Sequence, residues 1–192
     1  MSTIRVREYS NEDLPWLKQR IKESSIFSIP HGRSISNQKV KEAAEDDFTN
    51  LFSSENKVVI LIAENEALER MGLLVLNLQH RSDATGERQS FIEDLDVETR
   101  FRGTAAVGHL VRRAAQVTAE HGLPYMAAHV AQGNRRTLLK SLRLGFEIER
   151  YHFAMAVTED GPSKLPGRSA EEKAHDTSRA ERLRKRKKGK SL

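Results

Sequence analysis

Hydrophobic positions along the chain switch between a two-residue and a near-four-residue period, and the switches predict alternating strands and helices. In residues 4–9, Ile4 and Val6 alternate with Arg5 and Arg7, as in a half-buried strand. Residues 11–23 read as a helix with Asn11 as its N-cap. Residues 24–38 hold Pro30, Gly32 and five serines, and read as a loop long enough to serve a substrate. Val40, Ala43, Ala44, Phe48 and Leu51 place a second helix over residues 39–52. Residues 58–64 and 71–80 are rich in branched and aliphatic side chains and predict a hairpin. A polar turn with Gly86 at residues 81–88 leads to a strand at 91–97. The helix predicted at 104–120 gathers Val107, Leu110, Val111, Ala114 and Thr118 on one face and closes at Gly122 and Pro124. A short strand at 126–131, a helix at 135–144 stopped by Gly145, and a strand region at 146–157 complete the pattern. The order β, α, α, β, β, β, α, β, α, β implies one α/β or α+β domain built on a single mixed sheet.

Length and charge refine this picture. With 192 residues and 38% hydrophobic content, the chain suits one core better than two. No apolar run approaches the roughly 20 residues of a membrane span, and residues 1–9 are too polar for a signal peptide, so a soluble, cytoplasmic protein is expected, with no membrane partner. The absence of cysteine excludes disulfides, thiolate metal ligands and acyl-cysteine chemistry. The formal charge of +5 lies at one end: residues 158–192 hold eleven Lys and Arg against six Asp and Glu, leaving twenty-one of each before them. Apolar periodicity also stops at Thr158, so 1–157 reads as the folded domain and 158–192 as a disordered basic tail.

Chemistry concentrates where the strand at 91–97 gives way to the helix at 104–120. The connection Arg100-Phe-Arg102-Gly103-Thr104-Ala105 is basic, contains a glycine and opens directly onto a helix N-terminus, whose amides and dipole suit a pyrophosphate. Gly103 permits close backbone approach, small Thr104, Ala105 and Ala106 keep the entrance open, and Arg100 and Arg102 add positive charge.

The spacing Arg100-x-x-Gly103-x-Ala105 resembles the cofactor motif of the GNAT acetyltransferase superfamily: Gln or Arg, two residues, Gly, one residue, then Gly or Ala. Ile92-Glu-Asp-Leu95-Asp-Val97 is similar to the family's fourth strand, and Asn134 with Gly145-Phe146 eleven residues later to its last α-β unit. The resemblance covers about residues 91–146. It implies a GNAT fold of α/β (α+β) class, with a mixed central sheet of about six to seven strands and about four helices, and acetyl-CoA as co-substrate. It also implies that the backbone from Leu95 to Val97 pairs with the pantetheine arm in a gap between the fourth and fifth strands. Amides from Arg102 to Val107 would hold the pyrophosphate, and Asn134 the pantetheine side. The sequence departs from the pattern twice: Val107 stands where the family often has glycine, and Ser141 where it commonly has the tyrosine that protonates the departing thiolate.

An amine acceptor arrives protonated, so the site needs a base near the thioester. Glu93 is the preferred base, with partial burial expected to raise its pKa, and Asp94 takes its place if a bulge reverses the facing of that strand. The thioester carbonyl would be polarised by a strand amide near Val97. Thiolate protonation falls to water positioned by Ser141, to Tyr151 or to His152, and His31 is a candidate for substrate contact. His109 and His129 read as ordinary helix and strand residues. No spacing of His, Asp or Glu suggests a metal site.

Two functions remain open on the sequence. One is an acetyl-CoA-dependent N-acetyltransferase that transfers acetyl by direct attack in a ternary complex to an amine of a protein or small molecule. The other is a catalytically weak GNAT-fold binding module, tethered to nucleic acid or the ribosome through residues 182–190, of which seven are basic. No aromatic is interleaved there, so such binding would be sequence-blind.

Overall fold

The computed structural model describes residues 3–30, 33, 35–51, 57–131, 133–151, 154, 156–158 and 161–163. The chain divides into two units, one of Met1–Ile29 with Ile35–Glu149, the other of Pro30–Ser34 with Arg150–Leu192.

The first unit contains the sheet. Its strands are β1 (Arg5–Glu8), β2 (Val58–Glu64), β3 (Arg70–Asn77), β4 (Ser90–Val97) and β5 (Met126–Ala128), lying side by side in that order. All neighbours are antiparallel except β4 and β5. Helices α1 (Leu14–Ser24) and α2 (Asn37–Leu51) precede β2, α3 (Ala106–Glu120) links β4 to β5, and α4 (Arg135–Arg143) follows. β2 and β3 read as unbroken apolar runs because they are covered on both faces. Leu61, Leu74 and Leu76 pack with Leu110, Ala114 and Val117 of α3, whereas Ile60, Ile62, Leu73 and Val75 pack with Leu17, Ile21 and Phe48 of α1 and α2.

The start of α1 is fixed by charge. Ser10, not Asn11, is the N-cap of the 3-10 turn Asn11–Asp13, and it forms a capping box with Asp13. Asp13 is fully buried and accepts bonds from Arg7 at 2.6 Å and Arg70 at 2.7 Å. Arg7 also bonds Glu64 at 2.6 Å, so one guanidinium joins β1, β2 and the helix start. The Arg7 bond holds the Asp13 carboxyl far below the usual carboxylate range.

Among the described residues five strands stand in the mixed sheet, against the six to seven expected. Residues 146–151 carry no strand, and Ile148 is half exposed. β5 is only three residues long and offers little edge on which a further strand could form a ladder. In the second unit, β6 (Ala156–Thr158) pairs antiparallel with β7 (Gly161–Ser163). The domain boundary read at residue 158 therefore falls within a strand pair. The basic run 182–190, His31 and His152 lie outside the described residues. No helix among the described residues is long and apolar enough to cross a membrane.

Candidate functional site

The parallel pairing of β4 with β5 covers only three positions, Ser90 with Met126, Phe91 with Ala127 and Ile92 with Ala128. Beyond Ile92 the two strands part. The Leu95 N–H donates to the side chain of Asp94 at 2.8 Å rather than to a strand. Glu98, three residues on, donates instead to Met71 of β3 at 2.9 Å. By strand alternation Leu95 and Val97 present their backbone groups to the open edge.

A bulge sets what faces the helices. Val75 of β3 is paired with Asp94 and Leu76 with Ile92, so Glu93 is the extra residue. Ile92, Leu95 and Val97 pack on the α3 side, and Asp94 and Asp96 are paired with Val75 and Leu73 on the α1 side. Asp94 is partly buried and accepts a 2.7 Å bond from Ser24 Oγ at the end of α1. Burial pushes its carboxyl up to about 6, with the Asp96 charge adding and the bonds from Ser24 and Leu95 opposing. Asp96, itself buried, is paired with Arg20, which also bonds Glu23 at 2.7 Å. Glu93, expected to be partly buried, is exposed and accepts from Asn77 Nδ2 at 3.0 Å.

Past β4 the chain forms a 3-10 turn at Thr99–Phe101, Gly103 adopts φ 99°, and α3 begins at Ala106 rather than at residue 104. The Thr104 hydroxyl accepts from the Ala106 N–H at 3.3 Å. The N–H groups of Arg102 and Thr104 turn back to Thr99 and Phe101. That leaves the amides of Gly103, Ala105, Val107 and Gly108 without a partner among the described residues, clustered at a helix N-terminus. The Val107 side chain packs against the core, away from this opening. Both arginines fold back on the protein: Arg100 pairs with Glu69 at 2.8 Å and Glu98 at 2.9 Å. Arg102 donates to the Val97 carbonyl at 3.3 Å and lies 5.3 Å from the ring centre of Phe27. The free amides and the helix dipole would favour an anion here, whereas the arginine charges are already met within the protein.

Asn134 is the N-cap of α4, accepting the Thr137 N–H at 3.2 Å and leaving its own amide nitrogen free among the described residues. Ser141 is partly buried on α4, and its carbonyl accepts from Leu144 and Phe146. Tyr151 belongs to the second unit.

Solved structures named as acetyltransferases have a similar fold. An inferred acetyl transferase from Pyrococcus furiosus superposes with a TM-score of 0.67 at 19% identity, over 81% of this chain and 100% of that one. Aminoglycoside N-acetyltransferase AAC(6')-Iy in complex with CoA gives 0.61 at 16% identity, over 81% and 96%. The fold is that of the GNAT acetyltransferases. No protein-family model and no curated protein matches the sequence. A protein named as a transcriptional regulator from Bacillus halodurans also superposes, at TM-score 0.60 and 17% identity over 80% and 99%, so the fold alone does not decide activity.

Sequence reasoning missed several participants. Ser24 is 70 residues from Asp94 and sits in what read as loop, so no spacing links them. Phe27, half exposed beneath Arg102, and Gly108, a fourth free amide, also went unread. Gly108 could have been found, since it lies within one helical turn of Ala105.

Proposed function

We propose that the chain is an acetyl-CoA-dependent N-acetyltransferase in which the acceptor amine attacks directly within a ternary complex. The observation that carries this reading is the continuity of two binding elements: the open β4 edge at Leu95 and Val97 leads within a few residues to the free amides of Gly103, Ala105, Val107 and Gly108. A strand edge suits an amide-bearing pantetheine arm, and clustered amides suit a diphosphate, so the residues present fit the cofactor. Acetyl-CoA, when bound, supplies the activated acetyl thioester. Arg102, Thr104 and Ala106 shape the turn, and the free Asn134 amide nitrogen is available to a carbonyl of the arm. Arg100 supports the turn through its two carboxylates.

Asp94 is the base in this reading, and Glu93 the second candidate. The bulge turns Asp94 toward α1 and Ser24, and its raised midpoint lets it accept a proton near neutral pH. The backbone N–H of Val97 is available to polarise the thioester carbonyl, the Leu95 N–H being held by Asp94. The structure of AAC(6')-Iy with a bisubstrate analogue, in which CoA is joined to an acetylneamine, supports simultaneous binding of both substrates in this fold. The acceptor is an amine of a small molecule or protein.

Acetyl-CoA at about 100 times its Kd is expected to stabilise the protein by about 2.7 kcal/mol. Thermal unfolding with and without cofactor measures this, and release of free thiol with a panel of amines then identifies the acceptor. An unfolding temperature unmoved at millimolar acetyl-CoA would defeat the proposal.

A further inference from the structure

The proposed reaction leaves a thiolate that needs a proton, and Ser141 is a weak acid for that purpose. We propose that His129 protonates the departing CoA sulfur, an inference that rests on the acetyltransferase reading above.

The position follows from the register. Ile92 with Ala128 is the last β4–β5 pair, so His129 is the first residue on the β5 side beyond it, at the mouth of the gap. Its face follows from contact. Met126 and Ala128 pack on the α3 side, whereas the His129 ring meets Phe91 edge-on, 4.9 Å between centroids at 76°. Phe91 is paired with Asn77, on the same face as Asp94 and Asp96. His129 and Asp94 thus occupy one face at the two sides of the open gap.

The ring is held but chemically free. Phe91 is buried and is flanked on its other contact by His80 at 4.5 Å, so it forms a fixed platform for the imidazole. His129 is exposed, and neither ring nitrogen has a hydrogen-bond partner among the described residues. Among the described residues, the charged and titratable groups nearest along the two strands are Glu93, just past the last β4–β5 pair, Asp94 and Asp96 farther along β4 with Arg20 on α1, and His80 behind Phe91.

The protons balance. Of the three on the acceptor ammonium, one passes to Asp94 and leaves to solvent, and one stays on the amide nitrogen. The nitrogen attacks the carbonyl carbon, the C–S bond breaks, and sulfur takes a proton from the His129 imidazolium. The imidazole recovers it, through water, from the nitrogen of the collapsing adduct. An imidazolium is a stronger acid than a thiol, so the transfer to sulfur is downhill.

The test needs no acceptor. Histidine ring signals of the full chain are followed by NMR against pH with CoA and with desulfo-CoA, which lacks the sulfur, and His129→Gln assigns the signal. The His129 ring signals are expected to shift on binding CoA and to shift at least about twofold less with desulfo-CoA, because a sulfur within hydrogen-bond reach perturbs the ring directly. His80 serves as the internal control and should respond equally to both. The ultraviolet band of the bound thiolate should appear at higher pH in His129→Gln, with CoA affinity changed less than about threefold. Equal His129 ring shifts with the two ligands, or an unmoved thiolate band in the variant, overturn the inference and leave the acetyltransferase reading standing. Failure of wild-type protein to bind CoA overturns both.

Discussion

Asp94→Asn should make the protein more stable while removing the proposed base. The carboxyl midpoint rises on folding from 3.8 to about 6, burial being the main cause. Below pH 3.8 the folded and unfolded chains both hold the proton, and no difference arises. Between 3.8 and about 6 the folded chain keeps a proton that the unfolded chain has lost, so stability falls as pH climbs through that window. Each pH unit of raised midpoint corresponds to about 1.4 kcal/mol, so the charged form costs about 2–3 kcal/mol above pH 7. Asparagine has the same shape and no charge. It keeps the bond from the Leu95 N–H, and its amide can donate to Ser24 Oγ, which already reaches the Ile21 carbonyl at 3.0 Å. At about 2–4 °C per kcal/mol for a domain of this size, the variant should melt roughly 5–10 °C above wild type at pH 7.5. Differential scanning fluorimetry of both proteins from pH 4 to 8 reads the gap, which should close toward pH 4. A gap independent of pH, or a less stable asparagine variant, refutes the reasoning.

The same variant should lose at least about 100-fold in acetyl transfer, with Glu93→Gln within about threefold of wild type and the wild-type rate rising with pH through about 6; the reverse ranking in steady-state assays would return the base to Glu93. Asp13→Ala removes the buried partner of Arg7 and Arg70 and is expected to cost about 3–5 kcal/mol in urea unfolding. Gly72→Ala would place a methyl 2.5 Å from the Asp96 carbonyl oxygen, so β4 must shift at the proposed arm-binding edge. A loss of about 1–3 kcal/mol and weaker CoA binding by calorimetry are expected. Deleting residues 164–192 removes all eleven of the basic residues counted from 158 onward and is expected to abolish low-salt binding to single-stranded RNA.

What the sequence made legible, and what it concealed, separates by the range of the interaction involved. The bounds of β2 could be read to the residue, because an unbroken apolar run between charged neighbours is a local signal. The start of α3 was misplaced by two residues because Gly103 turns to positive φ and the Thr104 side chain caps the Ala106 amide, details of geometry rather than of periodicity. Arg100 and Arg102 read as charges offered to an anion, but in the structure those charges are met by Glu69, Glu98 and the Val97 carbonyl, partners that spacing does not reveal. The site carboxylate shows the division most sharply. Glu93 and Asp94 are adjacent acids in one strand, and nothing local distinguishes them. A bulge belongs to the pairing of two strands, so Val75 and Leu76 of β3 decide which residue is extra, and Ser24 completes the environment from α1. The raised proton midpoint of Asp94, on which its proposed role as base rests, is therefore set by three separate chain segments, and it exists only in the folded protein.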